Sequence, residues 1–329
     1  MITQFFRSIS PSNVFVLFAL TITLSICQMI FGSIETIDQS YSPFGEFVFT
    51  YFGVEKLPNW LNTLLASILI CFQALLLNKI CVKQAVLSKS TYLVGFFYII
   101  AAHCIPHFLT LNPILLVNFL IILLFNNIFK LNKTNRGLRL AFDFGFLIGT
   151  CTLFYIPSIL LTIVVVYSYL IIKSVDLRTV ITALAGVLAP LLWFFSLAYL
   201  LDNPLLTSNY INSFTFFDGG LDFTDFSWWL LIPALSFSLL LTFSIIKHLA
   251  TSGQQMIVTR KFIQQLLLWL ILLCVALIIQ LPNILFHFQL ALVPSAILVA
   301  NYYSNNTSTR LNEFSVAFIA LSIVISQVF

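Results

Sequence analysis

From Leu140 to Leu201 the chain runs through three apolar segments, separated only by a tight turn, Tyr155-Ile156-Pro157-Ser158, and a short charged one, Lys173 to Arg178. A soluble domain cannot bury so much continuous oil, since each of its helices would need a polar face toward water. The rest of the chain repeats the pattern. Charged residues make up 8% of the 329 residues, apolar ones 60%, and the mean hydropathy is +1.05, whereas soluble chains are about a quarter charged. At about 20 apolar residues per crossing there is room for about ten or eleven helices and no separate soluble domain.

Apolar run length places the spans at Asn13–Gly32, Leu61–Ile80, Ser90–Leu109, Pro113–Phe129, Leu140–Ile156, Pro157–Ile172, Val180–Leu201, Trp228–Ile246, Phe262–Leu281, Ile284–Tyr302 and Phe314–Phe329. The expected fold is all-α, a polytopic transmembrane bundle of about 11 helices. It fills residues 1–329 as one transmembrane domain with outer loops 33–60 and 202–227. The fifth and sixth spans are short, about 25 Å against a hydrocarbon core of about 30 Å. They are therefore expected to be shielded by neighbouring helices or to thin the bilayer locally.

Charge orients this bundle. With the N-terminus in the cytoplasm, fourteen of the fifteen basic residues fall on the inner side and only Lys56 lies outside. That is the positive-inside distribution of a bacterial inner-membrane protein. The C-terminus then faces outward. Eight of the eleven acids, Glu35, Asp38, Glu46, Glu55, Asp202, Asp218, Asp222 and Asp225, sort to the outer loops. The net charge of +4 is spread over inter-helix turns and forms no nucleic-acid patch. Arg7 followed by Val14–Phe31 imitates a signal peptide. The run is long for one and lacks a small-x-small cleavage site, so an uncleaved first helix is expected. The six cysteines lie in or beside apolar spans without a C-x-x-C, which suggests neither a disulfide framework nor a metal site.

Polar residues at membrane depth must face protein or water. His103 and His107 are four apart on one helical face near the outer end of the third span. Gln280, His287 and Gln289 lie at a similar depth in the ninth and tenth. Together they are expected to line a cavity opening outward, or to join helices by hydrogen bonds. Gly145 and Gly149 form a small-xxx-small face for close helix packing. Asp143 shares a face with Arg139 at the inner edge, and no further intramembrane acids accompany it as an ion-driven transporter would need. No Walker-type or dinucleotide loop occurs, and no cofactor motif is evident.

Met1-Ile2-Thr3-Gln4-Phe5-Phe6-Arg7 with Ser10-Pro11-Ser12-Asn13, and the stretch from Asp143-Phe144-Gly145-Phe146 to Pro190, resemble a Bacteroidota integral-membrane family known as a domain of unknown function. That resemblance covers nearly the whole chain and implies an inner-membrane location. A second resemblance is to the GT-C class of polyprenyl-phosphate-dependent glycosyltransferases. It rests on the cytoplasmic N-terminus, the acidic first outer loop beginning at Glu35 and Asp38, and the short-helix hairpin followed by Arg178 and Gly186 to Pro190. This likeness implies that Glu35 and Asp38 are catalytic. One would act as general base on an acceptor hydroxyl or hold a divalent cation against the phosphate of a polyprenyl-phosphate-linked sugar. The chain departs from that class in its short first outer loop and in lacking a periplasmic domain after the last helix. Two readings stand: an envelope-glycan enzyme at the outer leaflet, or a non-enzymatic scaffold, partner subunit or carrier.

Overall fold

The computed structural model describes residues 2–8, 10–31, 42–87, 89–131, 137–172, 176–213, 228–251, 253, 257–279, 284–306 and 309–328. Among them the chain is all-α. Helices α1 (Ile2–Phe5), α2 (Pro11–Phe31), α3 (Pro43–Tyr51), α4 (Asn59–Gln84), α5 (Leu93–His103), α6 (Pro113–Leu131), α7 (Gly137–Phe154) and α8 (Leu161–Ile172) make up the first half. The second half holds α9 (Leu177–Leu200), α10 (Pro204–Asn212), α11 (Trp228–Thr251), α12 (Ile257–Ile279), α13 (Ile284–Leu290), α14 (Leu292–Asn305) and α15 (Thr309–Val328). Seven of these, α2, α4, α6, α7, α9, α11 and α12, are long and apolar enough to cross a membrane. This is a membrane protein.

Each of the eleven expected spans corresponds to a helix or to a broken pair of helical segments. Three breaks fall where proline removes a backbone donor from the i→i−4 ladder. Pro106 follows the end of α5 and opens a 3-10 turn, Pro106–Leu109; Pro157 lies in the 3-10 turn Ile156–Leu160 between α7 and α8. In the first turn of α14, Pro294 has no N–H to offer the Leu290 carbonyl, and the chain divides into α13 and α14 at Ala291. Ser90–Leu109 and Ile284–Tyr302, each expected as one helix, are therefore interrupted.

Short helices occupy the middle. Every residue of α5 is buried, as are twelve of the fourteen in α14. The two lie side by side, wrapped by α2, α4, α6, α11 and α12. At 11 residues, α5 is about 16 Å long. A helix enclosed by protein need not match the bilayer, because its ends meet other backbone and side chains rather than lipid.

The closest pairing joins α7 to α9. Along α9 the buried residues are Gly186, Pro190, Phe194 and Ala198, one stripe at a spacing of four. A methyl group added at Gly149 would stand 2.5 Å from the Val187 carbonyl oxygen, and one at Gly145 would strike the Ala183 carbonyl. The Gly145/Gly149 face thus does what its spacing predicts, and Gly186 meets it from the other side with the Phe142 carbonyl against it. The opposite face of α9, Ile181, Leu184, Leu188 and Leu192, is exposed.

The ends differ. One, the basic end, carries Arg7, Lys83, Lys130, Lys247 and Lys261. There Phe6 stacks on Phe96 at 4.6 Å, and the Arg7 guanidinium donates to the carbonyls of Tyr303 (2.8 Å) and Asn306 (2.7 Å). Thr3 donates to Glu313 from both its amide and its hydroxyl. The start of the chain thereby closes the terminus of α14. At the other end three helices begin with a polar cap followed by proline: Ser42-Pro43, Asn112-Pro113 and Asn203-Pro204. In each the cap side chain accepts an amide of the first turn.

Candidate functional site

The end opposite the basic one is built on the terminus of α7. Pro157 has no N–H for the Leu153 carbonyl four residues earlier, and a bare carbonyl inside a bilayer is costly. Ser42 supplies the donor, its hydroxyl 2.6 Å from the Leu153 oxygen and 2.9 Å from that of Phe154. Tyr210 of α10 donates to the Thr152 carbonyl at 3.2 Å. Around these bonds Phe44, Phe154, Phe194 and Tyr210 pack edge to face or tilted, with centroids 5.0–5.3 Å apart. Burial pushes the Tyr210 phenol up to about 12, so it stays a neutral donor. Helices α3 and α10 thus form a shelf clamped to α7 and α9, with its own small core. These neighbours cover one face of α7, while Phe142 and Phe146 of α7 and Ile163, Val166 and Leu170 of α8 stay exposed, so the shielding expected of the short hairpin is partial.

Glu35 and Asp38 fall in residues 32–41, and Gln280 in 280–283; all three lie outside the described residues. The other candidates are placed. His103 ends α5, buried, with Nδ1 2.7 Å from the Ile99 carbonyl. That bond assigns the proton to Nδ1 and leaves Nε2 as an acceptor 3.3 Å from the Ser25 hydroxyl. Ser67 donates to Ser25 at 2.6 Å, which ties α2, α4 and α5 together. His107 is half-buried in the 3-10 turn after α5.

His287 and Gln289 lie on α13, both buried. The Tyr155 hydroxyl sits 3.3 Å from His287 Nε2. Asn112 donates to Gln289 Oε1 at 3.2 Å, and Asn118 donates to the Gln289 backbone carbonyl at 2.9 Å, satisfying the end of the broken helix. Nearby, Tyr98 donates to Gln73, which in turn donates to the Leu115 carbonyl. His103 and the His287–Gln289 pair therefore occupy two separate interhelical networks. Among the described residues Asn118 Oδ1 and Gln289 Nε2 have no partner. Sequence reasoning missed the partners Ser25, Ser67, Asn118 and Tyr155, each a common residue inside an apolar run. It also missed the anchors Ser42 and Tyr210; only the Ser-Pro cap signalled the first.

Residues 48–329 match the family of unknown function DUF6427. The chain belongs to that family. No curated protein and no solved structure matches it, and the comparisons add no support to the glycosyltransferase likeness. The DUF6427 match opens at Val48 in α3; α2 and the Glu35–Asp38 segment precede it.

A cavity of about 140 Å3 lies at the basic end of this DUF6427 chain, between the last turns of α11 and α14. Lys247, His248 and Thr251 line one wall and Asn301, Asn305 and Asn306 the other. No group of three or more His, Cys, Asp or Glu able to hold a metal occurs among the described residues. All six cysteines are free thiols.

Proposed function

We propose that this membrane protein is an enzyme working at the end opposite its basic one on a sugar carried by a lipid phosphate, for the assembly of an envelope glycan or glycoprotein. The observation that carries this reading is the anchored shelf. The segment bearing Glu35 and Asp38 enters from α2 and leaves into Ser42, which is held on the α7 terminus by two hydrogen bonds. Beside the shelf, α9 presents an apolar face along which a lipid chain can lie. In the proposed reaction a carboxylate, Asp38 or Glu35, takes the proton of an acceptor hydroxyl. That oxygen attacks the anomeric carbon, the bond from carbon to phosphate oxygen breaks, and the polyprenyl phosphate leaves with the electron pair. A divalent cation on the same acids would steady the leaving phosphate. On this reading the membrane is the bacterial inner membrane, with the basic end in the cytoplasm.

The burial of His103, His287 and Gln289 in interhelical bonds favours a second reading, a non-enzymatic scaffold, partner subunit or carrier. The two separate on the lipid-linked sugar pool of cells carrying Glu35→Gln and Asp38→Asn. An enzyme blocked at transfer accumulates its donor. A pool unchanged by both substitutions, with the proteins made at normal levels, favours the component.

A further inference from the structure

Where α6 faces the broken pair α13 and α14, three buried amide side chains meet, and their bonds fix which way each one points. Asn112 accepts the Leu115 amide through Oδ1 at 2.8 Å, so its Nδ2 is turned toward Gln289. That Nδ2 donates to Gln289 Oε1 at 3.2 Å, which leaves Gln289 Nε2 turned away from Asn112. Asn118 donates through Nδ2 to the Gln289 backbone carbonyl at 2.9 Å, and its Oδ1 is fixed in turn. Exchanging oxygen for nitrogen in any of the three would set donor against donor or acceptor against acceptor at one of these contacts.

Two atoms are left over. Gln289 Nε2 keeps its hydrogens and Asn118 Oδ1 its lone pairs, neither with a partner among the described residues, and both residues are 0% exposed. A donor and an acceptor left bare in a membrane interior cost the full desolvation of each group. A third group follows directly in the chain, the Leu290 carbonyl, to which Pro294 has no N–H to offer. Broken helices in membranes satisfy such groups through neighbouring side chains and ordered water. Whatever serves Gln289 and Asn118 must both accept and donate a hydrogen bond, carry no charge, and be small enough for a place closed to the surface.

We infer that internal water is bound at the junction of α6 and α13. It accepts from Gln289 Nε2 and donates to Asn118 Oδ1, and its second hydrogen is available to the Leu290 carbonyl. Three hydrogen bonds are the usual complement of a buried water. Bound there, it ties the break between α13 and α14 to α6 and leaves no polar group of the junction bare. The site is independent of the proposed catalytic acids.

The full chain, purified in detergent, is exposed to a brief X-ray pulse, which makes hydroxyl radicals wherever water lies, and oxidised residues are read by mass spectrometry. Radicals from bulk solvent do not reach a buried side chain, whereas bound water labels the side chains beside it. Leu115, one turn before Asn118, and Leu290, next to Gln289, are both buried, as is Leu77 of α4. In wild type Leu115 and Leu290 should be oxidised several-fold faster than Leu77. Gln289→Leu, which takes away the bare donor, should remove that excess. Ser67→Ala, in the separate network of Ser25 and His103, should leave it unchanged. If Gln289→Leu does not fold, Asn118→Leu makes the same comparison, and the wild-type contrast decides by itself. The inference is overturned if Leu115 and Leu290 are as inert as Leu77 in wild type. It is equally overturned if the excess persists in a folded Gln289→Leu protein, as it would if bulk water entered by local opening, or if Ser67→Ala loses as much.

Discussion

The Ser42 hydroxyl donates to the Leu153 carbonyl at 2.6 Å, to the very acceptor that Pro157 strips of its helical donor. One proline thus makes a helix end, and one serine from another loop makes that end tolerable inside a membrane. The same serine caps α3 through the Gly45 amide, so one side chain serves both the shelf and the broken helix end. Replacing Ser42 with Ala should cost about 1.5–5 kcal/mol, the sum of a lost cap and an unsatisfied carbonyl. Hydrogen exchange should then rise in α3 and at the end of α7 while α11 is unchanged. Unaltered protection in α3 would show that the aromatic cluster alone holds the shelf.

The α7–α9 contact offers a sharper steric test. Gly149→Ala places a methyl 2.5 Å from the Val187 carbonyl oxygen, and two backbones must separate to admit it. A loss of about 1–3 kcal/mol in thermal unfolding is expected. Gly253→Ala, with nothing within 4 Å of the added methyl, serves as the neutral control. Equal stability of the two variants would contradict the observed approach of α7 and α9.

Arg7 gives a third outcome. Arg7→Gln removes two charge-assisted bonds to the end of α14 and should cost about 1.5–3 kcal/mol. The first segment, Ile2–Phe5, should become open to protease in right-side-defined vesicles. Resistance equal to wild type would mean that Phe6 on Phe96 and Thr3 on Glu313 suffice.

Orientation follows from charge. Reporter fusions after Lys133 and after Asp222 should report opposite sides of the membrane, the first cytoplasmic. The same side for both would remove the inner and outer assignment, while leaving the helix packing as described.

Much of this was legible in the sequence and much was not, for a physical reason. Run length marked the helices, and Pro157 marked the break after α7. The spacing of Gly145 and Gly149 announced a close partner, though not that the partner was α9 with Gly186. Hydropathy cannot separate a side chain facing lipid from one facing protein, because both are apolar. Nothing in Leu93–His103 therefore told that α5 is wholly enclosed, while Ile181 and Leu188 of α9, also an apolar helix, are exposed. His103 and Gln289 stood out as polar residues in oil. Their partners Ser25 and Asn118 come from distant spans, and only the fold brings them together.

The central functional claim concerns the acids that precede Ser42, and one measurement reaches it most directly. Cells lacking the gene are complemented with wild type, Asp38→Asn or Glu35→Gln at matched membrane levels, and the sugar released from the polyprenyl-phosphate carrier is compared with that reaching envelope glycan. The account predicts that wild type restores transfer, while at least one substitution abolishes it and leaves sugar on the carrier. Full restoration by both substituted proteins would contradict it.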